Sequence, residues 1–359
     1  FDIVRGEIPI YSVDVSYMID QETGFIKVSR FAETTYAEFT DAMKKLDKQG
    51  ASRMIIDLRG NPGGYLNAVI RMVNDFLEKG DTILYTQGKA QPKKVFSANS
   101  LNAWAGKQIF VLIDEFSASA SEIFAGAIQD NDRGIIIGRR SFGKGLVQEQ
   151  IPFSDGSAVR LTVARYFTPS GRSIQKSYEN GNEKYFADLI NRMVHGEFEA
   201  VDSIHFADSL KYQTRKGRTV YGGGGIMPDI FVPADTSGRS DYFEKLYQKM
   251  LISQYAFQYT DQHREELAEM TTAQEIGNYL EKAGVLNSFI SYAASRGVPA
   301  DAEGIRASGH IINTQLKAYI ARNMIGDEGF YPIIQQIDKT LLKAIEISRQ
   351  NLLVENVGK

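Results

Sequence analysis

Up to about Gln175 short apolar runs alternate with amphipathic stretches, the arrangement of an α/β unit. Ile8 to Ile19 and Phe25 to Phe31 read as strands around a polar turn at 20–24. Thr35-Tyr-Ala-Glu38 has the form of a capping box, and Phe39, Ala42, Met43 and Leu46 recur at helical spacing until Gly50 stops the helix. Met54 to Leu58 is then a buried strand, followed by the loop Arg59-Gly-Asn-Pro-Gly-Gly64. A second amphipathic helix carries Leu66, Val69, Ile70, Val73 and Leu77 and ends at Gly80.

The same grammar repeats. Ile109 to Ile113 is a fully apolar strand, 114–117 a loop, and Ser119 to Asp130 a helix rich in small residues. Ile135 to Ile137 forms a third buried strand. After Ser141-Phe-Gly-Lys-Gly145, Leu146 to Phe153 and Ala158 to Tyr166 alternate around Asp155-Gly156, which predicts a hairpin with Lys144 at its entrance.

Residues 177–219 are polar and weakly periodic, and read as an insert that a glycine run at 222–225 returns to the first unit. From Asp241 the spacing is helical almost throughout. The expected domains are a β segment at 1–34, a core at 35–235 and a helical region at 236–359. Such a division suits 359 residues, a length at which single cores tend to split.

Hydrophobic residues at 43% exclude a disordered chain, and a net charge of -3 gives no reason to expect nucleic acid as a partner. Cysteine is absent, which removes disulfides, thiolate metal sites and a thiol nucleophile. No apolar run approaches the roughly 20 residues that span a bilayer, so any membrane anchor is expected outside these residues.

Ser119 follows a buried strand and opens a helix, so the amide of Ala120 is one of the unpaired donors at the helix start and can face an oxyanion. A serine at such a place is more often an N-cap than a nucleophile, and Ser117 is an alternative cap that would leave Ser119 free. The four histidines lie at 195, 205, 263 and 310, far in sequence from the glycine loops, so a Ser/His/Asp triad fits poorly. Lysine can replace histidine as a base where burial or a positive potential disfavours its charged form, and Lys144 between two glycines is the candidate.

Three motifs in order, Asp57-Leu-Arg-Gly-Asn-Pro-Gly-Gly64, Ser117-Ala-Ser-Ala-Ser-Glu-Ile123 and Ser141-Phe-Gly-Lys-Gly-Leu-Val-Gln148, resemble the signature of the C-terminal processing peptidases, or tail-specific proteases. The resemblance covers about 8–176 and extends to 225–229. It implies an α/β fold with a crotonase-like (ClpP/crotonase-type) core of ββα units. Ser119 would be the nucleophile, Lys144 the base and Gln148 the residue that holds the lysine. The amides of Ala120 and Gly64 would form the oxyanion hole, Gly63 being the weaker choice for the second donor. Asp130 matches an acidic position near the active site of some relatives, although by default it is a solvated or capping group.

The resemblance further implies acyl transfer to Ser119 and then to water, with no metal or organic cofactor, on protein or peptide substrates cut near their C-termini. Relatives usually carry a PDZ domain upstream, of which Phe1 to Pro9 would be the exit segment. A homo-oligomer through the helical region, an adaptor protein and an extracytoplasmic setting, in a bacterial periplasm or envelope, complete the expectation. Two rivals remain: a non-catalytic peptide-binding scaffold on the same fold, and a crotonase-type acyl-CoA hydratase or isomerase, which would leave Ser119, Lys144 and Gln148 unexplained.

Overall fold

A computed structural model describes residues 6, 10–99, 102–178 and 181–350. The expectation for Phe1 to Pro9 therefore lies outside the described residues apart from Gly6. The chain divides into two compact units, one of 1–234 with 344–359 and one of 235–343.

The first unit runs β1 (Val13–Met18), β2 (Thr23–Val28), α1 (Thr35–Lys48), β3 (Arg53–Asp57), α2 (Leu66–Asn74), β4 (Thr82–Gln87), β5 (Lys94–Ser97) and β6 (Gln108–Ile113). It continues through α3 (Ala120–Asp130), β7 (Ile135–Gly138), β8 (Leu146–Pro152), β9 (Ala158–Phe167), α4 (Gly181–Val194), β10 (Lys211–Gln213), β11 (Thr219–Tyr221) and β12 (Ile230–Phe231).

Six strands form one sheet in the order β1-β2-β3-β6-β7-β12, parallel from β2 onward. Parallel strands are covered on both faces, which is why Met54, Ile55 and Ile56 of β3 and Val111, Leu112 and Ile113 of β6 are continuous apolar runs and wholly buried. Phe39 of α1, Phe76 and Phe124 of α3 meet edge to face at 6.1 and 5.9 Å, and each such ring contributes roughly 1.5–3 kcal/mol by leaving water. Loops 58–64, 114–119 and 139–145 all leave the carboxyl ends of adjacent parallel strands, where α/β folds place ligands.

Several elements differ from expectation. No boundary falls at 34/35, because β1 and β2 belong to the same sheet as β3 and bury Phe25, Ile26 and Val28 in it. Thr35 is the first helical residue of α1 rather than its cap, and the Glu38 carboxylate instead accepts from the amides of Ser12 and Val13 at 2.7 and 3.0 Å. β4 and β5, unannounced by any clear alternation, complete an antiparallel sheet of order β5-β4-β9-β8. The polar insert contains α4, held by the buried ring of Tyr185, which stacks on Tyr178 at 4.2 Å, and by charge, since Glu197 pairs with Arg140 at 2.6 Å and with Arg192 of α4 at 2.8 Å.

The second unit is helical: α5 (Asp241–Gln248), α6 (Leu251–Gln262), α7 (Arg264–Leu267), α8 (Ala273–Lys282), α9 (Val285–Ser295), α10 (Ala302–Ile325) and α11 (Asp327–Ile334). Leu246, Ile276, Leu280, Phe289, Leu316 and Ile320 are completely buried in its core. A last helix, α12 (Lys339–Arg349), crosses the division at 343/344. No described helix is long and apolar enough to cross a membrane.

Candidate active site

Asp57 closes β3 and fixes the first loop. Its carboxylate takes a two-pronged bond from Arg59, 3.0 Å from Nε and 2.7 Å from Nη2, and lies 3.3 Å from Lys27. Burial alone would raise the Asp57 pKa, but the Arg59 and Lys27 charges more than offset this and lower it to about 2. Asp114 ties the second loop to the first, accepting from the Gly60 amide at 2.9 Å and from the Phe116 and Ser117 amides at 3.0 and 3.1 Å.

Within the first loop the Gly63 amide is spent on the Asn61 side chain at 2.8 Å. The Gly64 amide, lying between Phe31–Gly63 and Tyr65–Phe31 backbone bonds, donates to no partner among the described residues, and neither does Ala120. Of the two glycines, Gly64 is therefore the one whose amide is uncommitted among the described residues. Gly63 has a steric duty instead: at φ 95° a Cβ there would lie 2.6 Å from the Ser119 Cβ and 2.8 Å from the Ala120 nitrogen. Backbone therefore approaches Ser119 at a distance only glycine permits.

Ser119 is the cap residue of α3, with φ 56° and ψ -112°, a conformation that side-chain-bearing residues seldom adopt. Ser117 is not the cap, since its hydroxyl donates to the Leu58 carbonyl at 2.9 Å. Glu122 reaches back to the Ser119 amide at 2.8 Å, and the same carboxylate oxygen accepts from the Lys144 amide at 2.8 Å. The backbone nitrogens of Ser119 and Lys144 thus lie within two hydrogen-bond lengths of each other. The other Glu122 oxygen accepts from the Gly143 amide at 2.7 Å and the Ser141 hydroxyl at 2.5 Å. Burial raises the Glu122 pKa, and these four donors offset it only in part.

Tyr166 of β9 makes a second tie. Its hydroxyl donates to the Lys144 carbonyl and is in hydrogen-bond contact with the Ser119 side chain. Burial first, then the Glu122 charge, pushes this phenol well above its ordinary pKa, so it stays protonated and cannot serve as base.

Among the described residues no hydrogen bond joins the Lys144 ammonium to Ser119. Gln148 is exposed on β8, opposite Thr162 and next to a bulge, and is not bonded to Lys144. Asp130 is neither a cap nor solvated: it is buried against Arg172 at 2.7 Å and Ser170, a structural ion pair. Glu122 and Tyr166 carry duties that the sequence reading did not assign. The Ser-x-x-Glu spacing of 119–122 was a signal for the first, while the buried place of Tyr166 in a hairpin gave none. No group of three or more His, Asp or Glu side chains suited to a metal occurs among the described residues.

Fold and site together define an α/β domain with a strained serine at a helix start, two free amides beside it and a lysine loop on the same carboxylate. The model of peptidase family S41 matches residues 22–181, and that of a family of unknown function, DUF8443, matches residues 242–326. The carboxyl-terminal-processing protease of Synechocystis sp. is 42% identical over 156 residues, 44% of this chain and 36% of the relative. The carboxy-terminal processing protease CtpA of Bacillus subtilis is 41% identical over 174 residues, 48% of this chain and 37% of the relative. A solved photosystem II D1 C-terminal processing protease aligns with TM-score 0.43 and 31% identity, over 48% of this chain and 47% of that one. Residues 22–181 thus match peptidase family S41 and are similar in sequence to part of the C-terminal processing proteases. The chain spans well under half the length of the curated relatives it matches.

Proposed function

We propose that the chain is a serine peptidase that cuts protein substrates near their C-termini. The observation that carries this reading is the single Glu122 oxygen that receives the amides of both Ser119 and Lys144, which holds the nucleophile's and the base's backbones side by side. The Lys144 amine takes the Ser119 proton as Oγ attacks the scissile carbonyl. The oxyanion rests on the Ala120 and Gly64 amides, the lysine returns the proton to the leaving amine, and water then hydrolyses the acyl-enzyme. Gln148 holds the lysine once the amine has turned toward Ser119. The core is read as crotonase-like, in keeping with its strand–loop–helix repeats.

Ser119→Ala and Lys144→Ala are each expected to lower cleavage of an unfolded protein by at least about 10⁴-fold with an unchanged circular dichroism spectrum. Retained cleavage by either variant would remove the dyad. A second reading, a non-catalytic peptide-binding scaffold, is favoured by the absence of a bond between the Lys144 ammonium and Ser119, and no turnover by the wild-type chain would support it. An extracytoplasmic setting in a bacterium accords with the resemblance. Association of the helical unit, through exposed apolar residues such as Tyr247, Met250 and Phe257, or with an adaptor, would appear in light scattering as a mass above that of one chain.

A further inference from the structure

A recess of about 380 Å³ opens beside the loop that carries Lys144. Its walls include Arg165 of β9 with Ser173, Gln175, Lys176, Tyr178 and Tyr212. Two backbone ties fix it against that loop: the Gly145 amide donates to the Gln175 side-chain oxygen at 2.8 Å, and the Lys176 amide to the Gly143 carbonyl at 3.1 Å. Arg165 stands opposite Leu146 in the β8–β9 ladder and precedes Tyr166, which touches Ser119. The recess and Ser119 thus flank the same 143–145 loop, which is bonded to Gln175 and Lys176 and shares the Glu122 carboxylate with the Ser119 amide.

The lining holds two cations, Arg165 and Lys176, and no acidic residue. Lys176 is committed, 3.2 Å from Asp188 and over the rings of Phe142 and Tyr185 at 4.0 and 4.3 Å. Arg165 is exposed and pairs with no carboxylate among the described residues. A lone surface arginine is ordinary. This one shares the lining of the recess with Ser173, whose buried hydroxyl has no partner among the described residues and is costly to leave so. The planar fork of a guanidinium and a neighbouring hydroxyl are the donors a carboxylate takes.

We propose that this recess is a substrate subsite for a carboxylate, supplied by an acidic side chain or by the C-terminus of the peptide, with Arg165 as the residue that reads it. The inference rests on the peptidase reading and assigns that site a preference. Binding is measured on the full chain carrying Ser119→Ala, with labelled alanine-based decapeptides that hold one Glu or one Gln and end in a free carboxylate or an amide. KM and kcat are measured on the chain with Ser119 intact, for unlabelled versions of the same peptides.

Glu over Gln, or free carboxylate over amide, is expected to tighten binding and lower KM roughly tenfold or more, a gain in the range of a charge-assisted bond. Arg165→Gln should abolish that gain and leave kcat in place. The Glu and terminal-carboxylate arms tell the two sources apart. Equal binding of all four peptides, or a gain that survives Arg165→Gln, overturns the subsite. Arg165-dependent binding without turnover upholds the subsite and counts instead against the peptidase reading.

Discussion

Two helices begin with the same sequence grammar and differ in almost every physical respect. Ser119-Ala-Ser-Glu122 opens α3 in the first unit, and Thr272-Ala-Gln-Glu275 opens α8 in the second. At α8 the cap residue has φ -126°, its hydroxyl accepts from the Glu275 amide at 3.2 Å, and the exposed Glu275 carboxylate returns a bond to the Thr272 amide at 3.1 Å. At α3 the cap residue has φ 56°, and the buried glutamate serves three further donors from the 141–144 loop. Even the pKa directions oppose: hydrogen bonds from the Thr272 hydroxyl and from the Thr271 and Thr272 amides lower Glu275, while burial raises Glu122. A capping box alone therefore says only where a helix starts. Burial, strain and surplus donors on its carboxylate set apart the one at the proposed active site.

The sharpest way to break this comparison is to remove one oxygen from each carboxylate. Glu122→Gln must place an NH₂ where two donors now point, costing about 1–3 kcal/mol for each donor left without an acceptor and releasing the Lys144 loop from Ser119. Urea unfolding should show the loss of stability, and peptide turnover should fall by about 10²-fold or more, as when a transition-state geometry is disturbed. Glu275→Gln keeps an acceptor oxygen in water and should leave the urea midpoint at the wild-type value. Similar losses in the two variants would mean that the α3 cap is only a cap.

Gly63→Ala probes the approach of the first loop to Ser119. The new methyl would meet the Ala118 carbonyl oxygen and the Ser119 Cβ at 2.6 Å, so loop or helix start must shift. Displacing the neighbouring Gly64 amide, the proposed oxyanion donor, is expected to lower kcat by about 10²–10³-fold, and the overpacking to destabilise by about 1–3 kcal/mol. Wild-type kcat in this variant would show that the loop does not set the oxyanion geometry.

Asp57 supplies a pH test of the same loop. Its folded-state pKa lies below the ordinary value of 3.8, so its stabilisation is fully present above that value and is lost as pH falls toward about 2. The difference corresponds to about 2 kcal/mol. Acid unfolding of the wild type between those pH values should steepen accordingly, and Asp57→Asn should flatten that part of the curve. An unaltered acid limb in the variant would remove Asp57 as the anchor.

What was legible in the sequence follows the same division. Strands β3, β6 and β7 were readable because burial on both faces leaves apolar runs, and the loops that carry Gly64, Ser119 and Lys144 were readable as three motifs in a family's order, on which the roles proposed for these residues rest. Glu122 lay inside one of those motifs, yet its role depends on Ser141, Gly143 and Lys144 arriving from a different strand, which spacing along the chain does not reveal. The ion pair of Asp130 with Arg172 and the cluster of Glu197 with Arg140 and Arg192 were hidden for the same reason: charged residues were read as solvated, while the fold pairs and buries them.

The smallest expected effect has opposite signs at the two helix starts. At Ser119 the backbone occupies a region where glycine carries no Cβ penalty, and relief of such strain is worth about 1 kcal/mol or more. Ser119→Gly also loses a side-chain contact with Tyr166 and gains chain entropy in the unfolded state, which together offset part of that relief. A net rise of about 0.5–1 kcal/mol in unfolding free energy, with activity abolished, is the expected result. At Thr272 the backbone is already extended, so Thr272→Gly relieves nothing, loses the cap and should fall by a few tenths of a kcal/mol. A stabilised inactive variant beside a slightly weakened neutral one would mean that the first helix start is held in its conformation for the sake of the serine, whereas a loss at both would mean that its geometry costs the fold nothing.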